Sequence, residues 1–318
     1  MKMVRIIIGL MGASAQSGSS SLSSPSQLRP VLQMLKRHNV RELDTARAYN
    51  RGRNEELLGD IPEANDEFSI ATKVAGFSKG SLTFPKVIDG CNASLAALKQ
   101  EKIDLFYFHG PDRQTPLEES CKAINQLHQE GKITTFGISN FNAEEVQEMH
   151  SHCTKNGWVL PTVYQGGYNG LGRTGETTLF PVLRKLGIAF YAYSPLAGGY
   201  FSKPTAQLRT PAAGSRMDQM KHFANMYVND VTLEMHDRLT AVCEKEGLTV
   251  KEAALRWLMH HSARGDHDGV ILGGSSAEQI EENVRACEGG VLPQGVVDCF
   301  EMVWTQLQEA GKALPASL

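Results

Sequence analysis

Short apolar runs alternate with longer amphipathic segments along almost the whole of this 318-residue chain. Such alternation is the pattern of βα units joined into a parallel sheet. Eight candidate strands can be counted: Arg5–Gly9, Glu42–Thr45, Ser69–Val74, Asp104–His109, Thr134–Ser139, Thr162–Gln165, Ala189–Tyr193 and Val270–Gly273. Many are continuous apolar runs, as expected of strands covered on both faces. An open doubly wound sheet uses the same alternation, but eight consecutive units favour closure. The expectation is an α/β protein of the (β/α)₈ TIM-barrel class. Barrels of this class routinely run past 200 residues as one domain, so residues 1–318 are read as a single domain. The Ser-rich stretch Ser14–Ser24 falls between the first strand and its helix, where a barrel needs a loop.

Local chemistry supports the helices between the strands. Ser24-Pro25, Thr115-Pro116-Leu117-Glu118, Asn142-Ala143-Glu144-Glu145 and Thr249-Val250-Lys251-Glu252 each place a capping side chain first, and three of them have Glu three places on. From Pro25 the pattern puts Leu28, Val31, Leu32 and Leu35 on one stripe, with Gln33, Lys36 and Arg37 facing water. Periodicity breaks from Ser202 to Asp230, a long connection after the seventh strand that reads as functional.

Composition excludes several classes of function. A net charge of −3, with Lys and Arg scattered, leaves no basic footprint for nucleic acid. No apolar stretch approaches the ~20 residues of a membrane span. The run Ile6–Met11 is short for a secretory signal and reads as a buried strand, so the expected location is cytoplasmic. Six cysteines lie far apart without a C-x-x-C pair, so no metal site is expected and most are read as buried thiols.

Active sites of such barrels lie at the C-terminal ends of the strands. Asp44 ends the second strand, Tyr49 follows in its loop, Lys73 ends the third and His109 ends the fourth. Taken singly, each has an ordinary structural explanation. Together they suit a reaction in which a carbonyl oxygen gains charge and needs a proton. A phenol with an ordinary pKa near ~10 is a weak acid and base at neutral pH unless tuned. An ammonium at Lys73 favours its phenolate, Asp44 holds that ammonium, and His109 is placed to bond the substrate oxygen.

Asp44-x-x-x-x-Tyr49, Lys73 and His109 resemble the catalytic tetrad of the aldo-keto reductase superfamily, and the resemblance spans nearly the whole chain. It extends to Gly137-Ile138-Ser139-Asn140-Phe141, Tyr164-Gln165, Tyr193-Ser194-Pro195-Leu196, and Gly273-Gly274-Ser275-Ser276 through Glu282-Asn283. Phe108-His109-Gly110-Pro111-Asp112 and Ser194-Pro195-Leu196-Ala197-Gly198-Gly199 most resemble the aflatoxin-aldehyde reductase branch. The resemblance implies reduction of an aldehyde or ketone with NADPH. Ser139, Asn140 and Gln165 would then hold the nicotinamide carboxamide, and Tyr193 would stack on its ring, with Tyr191 on the same strand face as the alternative. Ser194, Pro195, Leu196, Gly198 and Lys203 would wrap the pyrophosphate, and Gly273, Ser275, Gln279 and Asn283 would meet the adenosine. Gln279 stands where some members carry Arg, and Arg216 resembles a branch arginine that would compensate; NADP(H) is favoured with NAD(H) still open. Met11, Tyr49, His109 and Tyr200, with the Ser202–Asp230 segment and the segment after Gly311, would wall the substrate. Relatives of the branch accept carboxylate-bearing aldehydes with help from basic residues near the chain end. Here Lys312 is the last cation, which leaves acidic and apolar carbonyl compounds both open. The branch resemblance also points toward a homodimer.

Gly170-Leu171-Gly172-Arg173-Thr174-Gly175 fits G-x-G-x-x-G, but positions 189 to 199 hold no acid to complete a dinucleotide fingerprint, and the run reads as a flexible sixth loop. Two rival functions compete with the reductase. One is a Schiff-base aldolase using Lys73, which an adjacent Asp44 disfavours by keeping the lysine charged. The other is a regulatory subunit that binds the cofactor with little turnover, against which the intact tetrad argues.

Overall fold

A computed structural model describes residues 5–13, 22–211, 213, 216–219 and 221–314, with the backbone alone at 216 and 219. Eight strands, β1 (Arg5–Gly9), β2 (Glu42–Asp44), β3 (Ser69–Val74), β4 (Ile103–Phe108), β5 (Ile133–Ser139), β6 (Pro161–Gly167), β7 (Ala189–Tyr193) and β8 (Gly269–Gly273), pair in sequence order and close into a barrel. Every pairing is parallel, and the seam runs from Arg5↔Gly269 to Gly9↔Gly273. Strand boundaries fall within one residue of the sequence reading except at β6, which continues to Gly167. That extension pairs Gly167 with Tyr193 in register.

Two apolar cores divide the side chains by strand parity. Ile7, Ala71, Leu105, Tyr107, Val163, Tyr191 and Ile271 fill the barrel interior. Residues of opposite parity, among them Ile8, Ile70, Phe106, Tyr164, Phe190 and Leu272, face the surrounding helices. Because side chains alternate with a period of two, the next inward position after each interior residue stands at the barrel's C-terminal mouth. Those positions are Lys73 after Ala71, His109 after Tyr107, Gln165 after Val163 and Tyr193 after Tyr191. The strand twist and parity that build the core thus deliver four polar residues to one rim.

The helices pack as their apolar stripes require. In Pro25–Arg37, Leu28, Val31, Leu32 and Leu35 are buried, and Gln33 and Arg37 are exposed. Asn142 forms a capping box with Glu145, and the Thr249 side chain accepts from the Glu252 N–H. The expected Thr115 cap is not formed. Pro116 occupies the cap position, and the Thr115 hydroxyl instead donates at 2.6 Å to the Asp112 carboxylate, a charge-assisted bond. The aperiodic connection contains three short helices, Thr205–Arg209, Arg216–Gln219 and Lys221–Tyr227, anchored by the buried Leu208, Met217 and Tyr227. All six cysteines are buried free thiols. No helix of the described residues is long and apolar enough to cross a membrane.

Asp268 ties the last two strands together. Its fully buried carboxylate accepts from the Phe190 and Gly265 backbone N–H groups at 2.7 Å each and from both terminal nitrogens of Arg184. Removing it strands two buried donors, each costing about 1–3 kcal/mol. Asp268→Ala is therefore expected to lower the unfolding free energy by about 3 kcal/mol. In urea the midpoint should fall with little change in slope; an unchanged midpoint would show that the carboxylate is not a structural hub.

Candidate active site

Asp44 and Lys73 form the floor of the site. Lys73 is fully buried, and its ammonium donates to Asp44 Oδ1 at 2.6 Å and to the Thr45 carbonyl at 2.8 Å. Gln165 Nε2 donates to the other Asp44 oxygen at 2.8 Å, so both carboxylate oxygens are engaged. Burial lowers the lysine pKa below its ordinary value, and the attraction of Asp44 opposes that shift without cancelling it. Asp44 raises it, as the sequence led one to expect, but removal from water is the larger effect and the net shift is downward.

Above this floor stand an aromatic acid and an imidazole. Lys73 Nζ lies 5.2 Å from the centre of the Tyr49 ring, which meets His109 edge-on at 5.6 Å between centroids. The Tyr49 loop turns sharply, with positive φ at Asn50, Arg51 and Gly52. A side chain at Gly52 would strike the Arg47 guanidinium, which is itself paired with the buried Glu55. Burial, aided by the charge of Lys73, lowers the His109 pKa to about 3, so the ring is neutral and keeps one N–H.

A cleft of about 1370 Å³ runs from these residues across the barrel mouth. Ser139, Asn140, Gln165 and Tyr193 line it beside the acid. Asn140 adopts φ +65°, donates to the His109 carbonyl and to Ser139 Oγ at 3.0 Å each, and accepts from the Tyr193 hydroxyl at 2.8 Å. Tyr191 lies one layer deeper, buried and bonded to Arg5, and does not line the cleft. Of the two tyrosines, only Tyr193 can meet a ligand.

Past Tyr193 the chain turns through positive φ at Ser194, Ala197, Gly198 and Gly199. Ser194, Pro195, Leu196, Gly198 and Lys203 line the cleft here, and Asn169 Nδ2 holds the Ser194 carbonyl at 3.0 Å. Farther along lie Gly273, Ser275, Gln279 and Asn283, at the start of the helix Ala277–Glu288. Gln279 Oε1 accepts from the Ser275 N–H and hydroxyl at 3.0 Å each, and Asn283 holds the Gly273 carbonyl. An acceptor oxygen thus occupies the place where an anionic ligand would dock. Amide and hydroxyl groups beside an aromatic face, then a turn with left-handed residues, then a helix start, together match the parts of a nicotinamide dinucleotide. The side chain of Arg216 lies outside the described residues.

Met11 lines the cleft as expected, and so does Leu314 of the segment after Gly311. Tyr200 does not. It is 1 % exposed, donates to the Thr232 carbonyl and meets His236 edge-on, because the turn through Gly198 and Gly199 aims it away from the cleft. Phe201 lines the cleft in its place. Sequence reasoning also missed Phe77, which is 55 % exposed and edge-on to His109 at 5.9 Å. Its φ of +67° has no signature in a bulky residue. Nor is the sixth loop loose: Arg173 is bonded to Glu176 and Glu301, with its guanidinium 4.9 Å from the Trp257 ring centre.

The Aldo/keto reductase family model matches residues 5–304 of the chain. The protein "Oxidoreductase sirO" of Leptosphaeria maculans is 40 % identical over 294 residues, covering 90 % of this chain and 88 % of that protein. "Aflatoxin B1 aldehyde reductase member 2" of Homo sapiens is 40 % identical over 301 residues, covering 89 % and 83 %. "Aldo-keto reductase pigE" of Monascus ruber is 30 % identical over 314 residues, covering 92 % and 91 %.

The buried neutral imidazole makes a testable contribution to acid sensitivity. Between its ordinary value of 6.5 and its folded value of about 3, the unfolded chain holds a proton on His109 that the folded chain does not. The stability it contributes is therefore complete above pH 6.5 and is lost as pH falls toward 3. His109→Gln should flatten this part of the profile of urea midpoint against pH. A wild-type profile no steeper than that of the variant would contradict the assignment.

Proposed function

The chain belongs to the aldo/keto reductase family, and on that premise we propose that it reduces an aldehyde or ketone to the alcohol with NADPH, Tyr49 giving the proton. The observation that carries this reading is the buried Lys73–Asp44 pair beneath Tyr49, with neutral His109 beside it, at one end of a cleft shaped for a dinucleotide.

The bound nicotinamide supplies the hydride. Ser139, Asn140 and Gln165, which line the cleft beside the acid, would hold its carboxamide, and Tyr193 would offer its ring an aromatic face, so that the approach to substrate is fixed. Ser194, Pro195, Leu196, Gly198 and Lys203 would hold the pyrophosphate, and Gly273, Ser275, Gln279 and Asn283 the adenosine. Lys203 lines the cleft beside the Ala197–Ser202 turn, and its charge, together with the family's general use of NADPH, supports NADPH over NADH. At the reacting end, the Tyr49 hydroxyl donates its proton to the carbonyl oxygen as charge develops there. Lys73 stabilises the phenolate left behind, and Asp44 holds Lys73 in place. His109, being neutral, serves as a hydrogen-bond donor to the same oxygen rather than as an acid.

An aldolase role for Lys73 fails on access. Its ammonium is spent on Asp44 and Thr45, and it has no exposed surface to meet a carbonyl. The reading treats residues 1–318 as one domain acting in the cytoplasm, and six unpaired buried thiols suit a reducing compartment. A homodimer is the assembly proposed by likeness to the aflatoxin-aldehyde reductase branch. The name of the human relative favours an aldehyde as the carbonyl compound.

Tyr49→Phe keeps the ring and removes only the hydroxyl that donates the proton. With 4-nitrobenzaldehyde, NADPH oxidation should fall by about 10²–10⁴-fold, while NADPH binding followed by fluorescence stays within a few-fold of wild type. A variant that retains its rate would remove Tyr49 from the chemistry; a wild type that binds no NADPH would overturn the cofactor assignment.

A further inference from the structure

Charge is distributed unevenly along the cleft. Among its described lining residues, only Lys203 and Lys251 carry a permanent positive charge. Lys203 follows the phosphate turn, and Lys251 is paired at 2.5 Å with Glu282 on the Ala277–Glu288 helix, so both belong to the far end of the dinucleotide groove.

Among the described lining residues the reacting end offers no counterpart. Lys73 is sealed beneath Tyr49, and His109 is held neutral by its surroundings. Arg173 is 8 % exposed and turned into the protein, held by Glu176 and Glu301 between the rings of Trp257 and Trp304. Lys312 does not line the cleft, although it stands near its edge with Tyr227 and Leu314. Segments 14–21 and 315–318, outside the described residues, contain neither Lys nor Arg, and Arg216 belongs to the short helix beside the Ala197–Ser202 turn.

Apolar surface stands there instead. Of four large hydrophobic residues exposed among the described residues, two, Met11 at 39 % and Phe77 at 55 %, line the cleft, and Phe77 stands at this end, edge-on to His109. Phe77 is held there deliberately: its backbone sits at φ +67°, and a side chain at Gly110 would come within 2.3 Å of its ring. Exposed apolar side chains gathered at a cleft mouth mark a binding surface.

We infer that the substrate's non-reacting part is flat, apolar and uncharged, and that the cleft selects against aldehydes bearing a carboxylate there. The inference rests on the reductase reading. A carboxylate brought against Phe77 and Met11 loses water without gaining a cation, a cost that falls on binding.

Two aldehydes of nearly the same shape separate the possibilities: 4-carboxybenzaldehyde and its methyl ester, methyl 4-formylbenzoate. With the full chain and NADPH at neutral pH, kcat/KM should favour the ester by about 30-fold, mostly through KM. An acid reduced as well as its ester overturns the inference and leaves the reductase reading standing. If neither is reduced while 4-nitrobenzaldehyde is, the inference falls and the reductase reading stands; if none of the three is reduced, both fall. Phe77→Arg should narrow the preference by at least about 5-fold while NADPH binding is retained; an unmoved ratio means that the tail does not meet Phe77 and overturns its role. Lys312→Ala should leave the ratio as it is, whereas a selective loss on the acid would identify Lys312 as a carboxylate partner and overturn the inference.

Discussion

Everything at the mouth of this barrel depends on one buried ion pair. Removing an ammonium and a carboxylate from water costs several kcal/mol each, and only close geometry with every oxygen and proton engaged offsets that cost. Here the offset comes from the 2.6 Å contact between Lys73 and Asp44, the Thr45 carbonyl and the Gln165 amide. The ion pair joins the neighbouring strands β2 and β3, and Gln165 reaches it from β6, so the second carboxylate oxygen is engaged only when the barrel has closed. The pair is better understood as a device for placing charge beneath Tyr49 than as a source of stability.

Strain is concentrated around the same place. Among the described residues eight non-glycine positions have positive φ, and six of them, Asn50, Arg51, Phe77, Asn140, Ser194 and Ala197, lie in loops at the cleft end of the strands. Each such residue costs about 1–3 kcal/mol and persists only where its surroundings over-determine it. Asn140 is fixed by His109, Ser139 and Tyr193, and the turn from Ser194 is fixed by Asn169. The barrel core meets this cost with apolar burial and in return holds polar groups rigidly before any ligand arrives.

What could be read from the chain beforehand follows from the same physics. Buried parallel strands must be apolar runs, so β1, β3 and β7 were legible to the residue. The period of two then carried Asp44, Lys73, His109 and Tyr193 to the mouth. Orientation after a turn was not legible: Tyr200 follows two left-handed glycines and points into the helix layer, where its hydroxyl meets Thr232. Competition between partners was not legible either, as Thr115 shows by bonding Asp112 rather than capping a helix. Phe77 escaped notice because a bulky residue at positive φ breaks the local rule by which loops are read, and Arg173 because its partners Glu301 and Trp257 are distant in sequence. Both exceptions stand beside the cleft, where functional demands most often override local preference.

The central claim is that Lys73 acts through Tyr49 and not independently of it. A double-mutant cycle on kcat/KM with Tyr49→Phe, Lys73→Met and the combined variant tests this directly. If the account is right, the combined variant is no slower than the slower single variant within about 3-fold, because the lysine has no phenol left to tune. Losses that multiply instead would mean that Lys73 and Tyr49 serve separate steps, and the account of the buried pair as the tuner of the proton donor would be wrong.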